Sequence, residues 1–493
     1  MGKMHIGGIK TALVNYLFAK KHGGEFILRI EDTDEKRFDP DAEKYILDAL
    51  KWMNITPDHG PTFGDGRFGP YRQSERNYRP FADKLLKEGH AYYAFDTDDE
   101  LNAVRKAYEG SKKPFSYDRN TRMSMRNSLS LSKSDVDSLL ESGVPYTIRF
   151  RMPDEPVDVL FTDLVRGTVA FNTSILDDKV LFKSNGVPTY HLAATSDDYA
   201  MGITHVFRGE EWLSSTPLHL LIYDAMGWKA PEFAHLPLLL DSNGAKMSKR
   251  NAITKDEPIF PFTVEVKDDD GTVLGISTGL KERGYDPDAL INYLALLGWH
   301  PKDDREIMSF DELVNAFDIN DVNNSGARFD PAKAAHFNKA YLSKREGKSF
   351  IHLLPENVFG YSEESLSKIA KAGFERVSFA KDIPSMVDYF FKDVDPPVSS
   401  MKELDDFASL LDRLIGFIAG SDWNPNAVES FAVADINENG LNRGPMLNNL
   451  RLSLTGGASG PKLHEMMDMM GRDESLRRFN KAKERIALLH TAG

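Results

Sequence analysis

The chain contains no cysteine. Disulfides are therefore excluded, along with thiolate zinc sites and thiol redox chemistry. Long apolar runs are missing too. Nothing approaches the roughly 20 consecutive apolar residues that a membrane-spanning helix needs. The opening Met1-Gly2-Lys3-Met4-His5 carries no apolar signal core. A cytoplasmic location without membrane attachment is the expectation. Positive charge is in deficit, with 61 Lys and Arg against 75 Asp and Glu and a net charge of -14. Such a chain does not coat nucleic acid indiscriminately, although a local basic patch can still select one. No internal repeat or long low-complexity segment is visible.

What is present is an ordinary globular composition, 41% hydrophobic and 28% charged over 493 residues. That length suggests about three domains. The acidic surplus reverses at the end, where nine Lys and Arg face five Asp and Glu from Leu441 to Gly493. A solvated helix face or an RNA contact explains that equally well. The helix expected from Glu474 to His490 puts Leu476, Phe479, Ile486 and Leu489 on one face, and largely Arg477, Arg478, Lys481 and Arg485 on the other.

Lys246-Met247-Ser248-Lys249-Arg250 follows the apolar run Leu236–Leu240 and the turn Asp241-Ser242-Asn243-Gly244. Two lysines three apart on a Gly-led loop can reach one polyphosphate. Alone, such a loop reads as solvated surface. A second phosphate-binding element lies at the start of the chain. His5-Ile6-Gly7-Gly8 opens a helix with Ile9, Leu13 and Leu17 on one face, ended by Gly23-Gly24. A Gly pair there admits a ligand close to the backbone, and the helix end offers free N–H groups to phosphate.

The spacing predicts a strand over Glu25–Ile30, the acidic turn Glu31-Asp32-Thr33-Asp34 and a helix over Asp41–Met53. From about Tyr92 to Val187 the texture changes to an inserted α/β module. Asp96-Thr97-Asp98-Asp99-Glu100 caps a helix there, while Tyr146–Met152 and Thr168–Phe171 read as strands. Thr204–Arg208 is a short strand that delivers Arg208 beside Gly209-Glu210-Glu211-Trp212, and Thr216–Met226 is an apolar helix. Leu236–Leu240 reads as a buried strand. Alternating strands and helices imply a doubly wound parallel sheet, with Glu31, Arg208 and Lys246 near strand ends facing one crevice. Beyond Arg250 the chain is mostly helical, with a hairpin turning at Asp268-Asp269-Asp270-Gly271 and a helix over Pro287–Leu297.

Seven segments, in order, resemble one family: His5–Gly8, Arg29–Asp34, Gly69–Arg76, Pro188–Ala193, Arg208–Trp212, Lys246–Arg250 and Arg451–Gly456. The chain resembles the bacterial glutamyl-tRNA synthetases, class I aminoacyl-tRNA synthetases, over essentially its whole length. The resemblance implies an α/β Rossmann-type catalytic domain with an inserted α/β module, followed by all-α anticodon-binding domains. The expected boundaries are 1–91 and 187–241 for the catalytic domain and 92–186 for the acceptor-stem-binding insert. The lysine loop and stem-contact region would take 242–330, and the anticodon domains 331–400 and 401–493. It further implies glutamate–tRNA ligase activity, with L-glutamate, ATP and tRNA(Glu) as substrates, substrate-bound Mg2+, no zinc, and a monomer.

By the same resemblance His5, Lys246 and Lys249 are catalytic. His5, Gly7, Gly8, Glu211, Leu239 and Lys246 bind ATP, and Glu31, Tyr190 and Arg208 bind glutamate. Arg451, Arg477 and Arg478 are the expected tRNA contacts. The alternatives are a catalytically impaired tRNA-binding paralogue and a non-discriminating enzyme that also charges tRNA(Gln). Three departures stand out. Gly8 replaces a second histidine, and Ala194 stands where the family often has Asn. The family's strand reading Arg-Phe-Ala-Pro-Ser-Pro-Thr-Gly is missing before His5, so the native start is expected upstream.

Overall fold

The computed structural model describes residues 2–33, 39–109, 114–268, 271–457 and 460–492. Asp34 of the acidic turn, Asp269 and Asp270 of the hairpin turn, and the side chain of Lys249 lie outside the described residues. Contacts divide the chain into two compact units. The first is Met1–Ser277 with Ile291–Asp330, and the second is Thr278–Leu290 with Pro331–Gly493.

In the first unit a helix spans Ile6–Lys21, with Ile6, Ile9, Leu13 and Leu17 buried at helical spacing. Each such side chain contributes about 1.5–3 kcal/mol through burial. His5 caps it, its Nδ1 accepting from the Gly7 amide at 3.0 Å. Gly23 takes a left-handed φ of 63° just beyond the end. The second expected helix runs Ala42–Trp52. The strand expected over 25–30 is instead an extended segment with isolated parallel bridges, Ile27 to His59 and Ile30 to Arg72. Its hydrogen bonds go to two separate loops, Leu28 N–H to His59 and Ile30 N–H to Tyr71, so no continuous ladder builds.

The larger sheet has four strands in the order Gly167–Asn172, Asp158–Asp163, Glu232–Leu236, His205–Gly209. The first pair is antiparallel, and the others are parallel. His205 opposes Glu232 and Gly209 opposes Leu236. The hairpin from the expected insert thus joins the strands that carry Arg208. It is tied there by the Asp163 carboxylate, which accepts the His235 amide at 3.1 Å. The run Leu236–Leu240 is not one strand. Pro237 has no N–H to give a ladder, so the run breaks into Glu232–Leu236 and Leu239–Leu240, and the latter pairs in parallel with Ala327–Arg328.

The remainder of the insert folds as an antiparallel sheet of Ala91–Ala94, Thr147–Phe150 and Val180–Phe182. Its helix Asp98–Ala107 starts from a reciprocal capping box of Thr97 and Glu100. The hairpin after the lysine loop pairs Val264–Lys267 with Val273–Ser277.

The second unit is built on helices, among them Glu363–Phe374, Leu404–Gly420, Pro425–Glu438, Arg443–Thr455, Leu463–Met470 and Arg472–Ala492. One core runs through the two expected anticodon domains, from Phe374 and Phe390 to Phe407, Leu450 and Phe479. The short helix Leu463–Met470 buries Met466, Met467, Met469 and Met470 in that core. In the last helix Phe479 and Ile486 are buried as expected, but Leu489 is 42% exposed, because the helix end outruns the core.

The basic face of that helix is largely occupied. Arg477 and Lys481 both bond Asp393, at 2.8 and 2.7 Å, and Arg485 bonds Asp395 at 2.8 Å. Arg478 corrects its expected role. It is fully buried, bonded to the Glu474 carboxylate at 2.6 Å and to the Leu454 carbonyl, and so holds the core rather than a nucleic acid. Arg451 donates to the carbonyls of Gly460 and Pro461 at 2.9 and 2.7 Å.

Candidate active site

Arg208 is the centre of the first unit's polar interior. The strand His205–Gly209 carries it inward, and only 8% of it is exposed. Arginine has five N–H donors, and all are engaged. Nε points to His235 Nε2 at 3.1 Å. Nη1 reaches the Tyr190 hydroxyl at 2.9 Å and His219 Nδ1 at 3.4 Å. Nη2 reaches Thr216 Oγ1 at 2.8 Å and the Trp212 carbonyl at 3.2 Å. Among the described residues, no carboxylate pairs with this guanidinium.

Two of the histidines nearby, His219 and His191, are held neutral. Burial drives His219 well below the ordinary histidine value, helped by the charge of Arg208. Burial lowers His191, whose Nδ1 lies 3.1 Å from His219 Nε2, to about 4. His235 Nδ1 sits 2.6 Å from Asp163 Oδ2, and both side chains are fully buried. Burial alone would raise the Asp163 carboxyl. The His235 ring and the amides of Arg166, His235 and Val165 hold it below its usual range.

Tyr190 opens the helix Tyr190–Ala200, and its ring lies 4.4 Å from that of Trp212. Burial pushes its hydroxyl up to about 12; Arg208 opposes the shift, while the negative field of Glu31 and Asp198 adds to it. Tyr190 therefore stays a neutral hydroxyl that feels both Glu31 and Arg208. Glu31 is exposed, one residue past the Ile30 bridge, and accepts from Arg29 Nη2 at 3.0 Å. Arg29 also bonds Asp198 at 2.7 Å. Asp197 is raised by burial despite the Arg29 charge, and it accepts from Gln73 at 2.8 Å and Tyr78 at 2.9 Å.

The nucleotide side takes shape from backbone. Glu211 lies in the Glu210–Ser215 turn with its carboxylate folded over Gly209, where any Cβ would collide with it. Glu210 accepts the Leu238 amide at 3.3 Å, bringing that turn beside buried Leu239. Met247 N–H bonds the Leu239 carbonyl at 3.2 Å, and Lys246 bridges Leu240, so the lysine loop starts at the same strand. Asp241 closes the loop from inside. It accepts from the amides of Asn243 and Ala245 at 2.9 Å and from Lys255 at 2.7 Å, and the Lys255 bond chiefly holds it below its usual range. Lys246 is exposed, and Lys249 begins a short helix, Lys249–Thr254, capped by Ser248. Beyond this helix, the Ile259 carbonyl accepts the Ile6 amide at 2.7 Å, next to His5. His5 is exposed there, with Gly7 and Gly8 in the first turn. A Cβ on Gly7 would press on the His5 ring at 2.9 Å.

Tyr190, Arg208 and Glu31 are thus brought together, and Leu239 and Lys246 sit on one strand and its loop. Motif reading missed His219, His235, Asp163, Thr216 and Asp241. It also missed Lys10, buried one turn into the first helix without a hydrogen-bond partner and lowered by burial to about 8.

An inward arginine with no carboxylate beside it, a glycine-led helix start and a basic loop match a known class. The profile of the tRNA synthetases class I (E and Q), catalytic domain, fits residues 1–336, and that of the anticodon binding domain fits residues 347–483. The chain belongs to the class I tRNA synthetases of the E and Q type. It is 43% identical to the glutamate–tRNA ligase of Flavobacterium johnsoniae and 44% identical to that of Bacteroides thetaiotaomicron. Each alignment covers 98% of this chain and 96% of the relative. A crystal structure of a glutamate tRNA ligase from Elizabethkingia meningosepticum, in complex with its amino acid, superposes with a TM-score of 0.89 at 42% identity. A glutamate-tRNA synthetase from Elizabethkingia anophelis gives 0.87 at 43%. Both matches cover 98% of this chain and 97% of the other.

Proposed function

We propose that this chain is a glutamate–tRNA ligase and that Arg208 is the residue that selects glutamate. The buried cation without a carboxylate partner carries the reading. An incoming side-chain carboxylate supplies the missing charge, and a guanidinium fork suits it better than an ammonium. Tyr190 adds a hydroxyl beside the fork, and Glu31 attracts the substrate's ammonium group. The α-carboxylate oxygen attacks the α-phosphorus of ATP, the bond to the β-phosphate breaks, and pyrophosphate leaves. A ribose hydroxyl at the tRNA end then attacks the adenylate carbonyl and AMP departs. No protein nucleophile is required, so the work is positioning and charge neutralisation.

His5, Gly7 and Gly8 receive phosphates at the helix start, Lys246 and Lys249 close over them, and Glu211 and Leu239 hold the nucleoside. Magnesium arrives on the ATP phosphates; among the described residues no three His, Asp or Glu side chains gather to hold an ion. The helical unit takes the tRNA anticodon arm. A cavity of ≈ 430 Å³ there is lined by Lys371, Arg376 and His464 together with the acids Glu375, Glu465 and Asp468.

Charging of total tRNA with labelled glutamate tests the assignment. Lys246→Ala is expected to lower kcat by about 10²–10³ at little cost in glutamate affinity. Unchanged charging in that variant refutes the role given to the loop.

A further inference from the structure

A guanidinium offers a carboxylate two flat edges, one formed by Nε and Nη2 and one by the two terminal nitrogens. In Arg208 the inner edge is closed. Nε donates to His235 Nε2 at 3.1 Å and Nη2 to Thr216 Oγ1 at 2.8 Å. Thr216 Oγ1 in turn lies 3.1 Å from that same His235 nitrogen, which completes a buried triangle. His235 can receive those donors only if Nε2 is unprotonated. Arg208 Nε always carries its proton and so faces a bare Nε2, and the ring N–H then lies on Nδ1, where the Asp163 carboxylate accepts it at 2.6 Å. The outer edge is held more loosely. Its longest contacts are His219 at 3.4 Å and the Trp212 carbonyl at 3.2 Å.

We infer that His235, pinned by Asp163, is a positioning residue that closes the inner edge of Arg208 and turns its outer edge toward the substrate carboxylate, so that preference for glutamate over glutamine depends on it. This rests on the assignment of Arg208 to glutamate selection. On binding, the carboxylate takes the places of His219 and the Trp212 carbonyl on the outer edge. The His235–Thr216 triangle stays intact. A guanidinium freed from the triangle can rotate, and its two terminal donors then no longer meet both carboxylate oxygens.

The test is charging kinetics with glutamate and glutamine as alternative substrates, together with calorimetric binding of glutamate. His235→Leu removes the acceptor. It is expected to raise the KM for glutamate ~10–100-fold and to lower the preference over glutamine by a similar factor, with the KM for ATP within about twofold. His235→Gln keeps an oxygen able to accept from Nε and an N–H able to face Asp163, and is expected to restore most of the loss. A folded His235→Leu variant with unchanged glutamate KM overturns the inference. So does an equal rise in both KM values, or a Gln variant no better than Leu. Should the Leu variant fail to fold, Asp163→Asn frees the ring proton and is expected to show the same split at ~3–10-fold; an unchanged KM there overturns the inference too. Wild-type protein that charges no glutamate would instead remove the functional assignment on which the inference rests.

Discussion

Two buried arginines in this chain are treated in opposite ways. Arg478 in the helical unit is fully buried against the Glu474 carboxylate and a main-chain carbonyl. Arg208 in the catalytic unit, 8% exposed, meets two imidazoles, two hydroxyls and one carbonyl. Both satisfy their donors, but only Arg478 has its charge cancelled. A buried charge without a counter-charge is costly, and a protein that retains one leaves room for a ligand to complete it. Partner chemistry, rather than burial, separates the two: a carboxylate on Arg478, neutral acceptors alone on Arg208.

The sharpest break of this contrast is Arg208→Leu. Glutamate kcat/KM is expected to fall ~10²–10⁴-fold, the equivalent of two charge-assisted hydrogen bonds, and charging kinetics will show it. Stability should change far less, since no carboxylate partner is stranded. Arg478→Leu should do the reverse. It leaves Glu474 with Arg477 alone as its cation and takes the donor from the Leu454 carbonyl, and should destabilise the helical unit by about 1–3 kcal/mol. Urea unfolding would measure that, with the glutamate KM of the folded protein unmoved.

A smaller effect separates the two settings by pH. His191 titrates near 6.5 when unfolded and near 4 when folded. Between these values the unfolded chain binds more protons, so stability falls as pH drops through that window and levels off below it. The contribution is on the order of 3 kcal/mol, and melting curves from pH 7 to 4 should flatten in His191→Asn. Asp393 behaves differently. Hydrogen bonds from Lys481 and Arg477 hold it down to about 2. Its contribution is present above the usual carboxylate value and is lost as pH falls toward 2. Being exposed, it should give the smallest slope, seen as a shallower acid transition in Asp393→Asn.

Local chemistry was readable from the chain itself. His5 before paired glycines marks a helix start, and the Thr97–Glu100 spacing marks a capping box. Tyr190, Arg208 and Lys246 stand out through motifs as candidates. The supporting residues were not, because their meaning is non-local. His219 lies inside an apolar helix and reads as core, and Asp163 is separated from His235 by 72 residues. The segment 25–30 looked like a strand from its own residues, but its partners were two loops. Arg478 shared a basic stripe with Arg477 and Arg485; the Glu474–Arg478 spacing of four was the available sign that it turned inward.

The methionine-lined helix Leu463–Met470 has a consequence outside translation chemistry. A chain without cysteine has no thiol to react first with peroxide, so oxidation falls on thioethers. Met466 and Met467 are wholly covered, and a sulfoxide there would place a polar, chiral oxygen among the aromatic and aliphatic side chains of that core. Damage therefore waits for the helix to lift away, and the rate at which those sulfur atoms oxidise becomes a clock for how often the anticodon-side core opens.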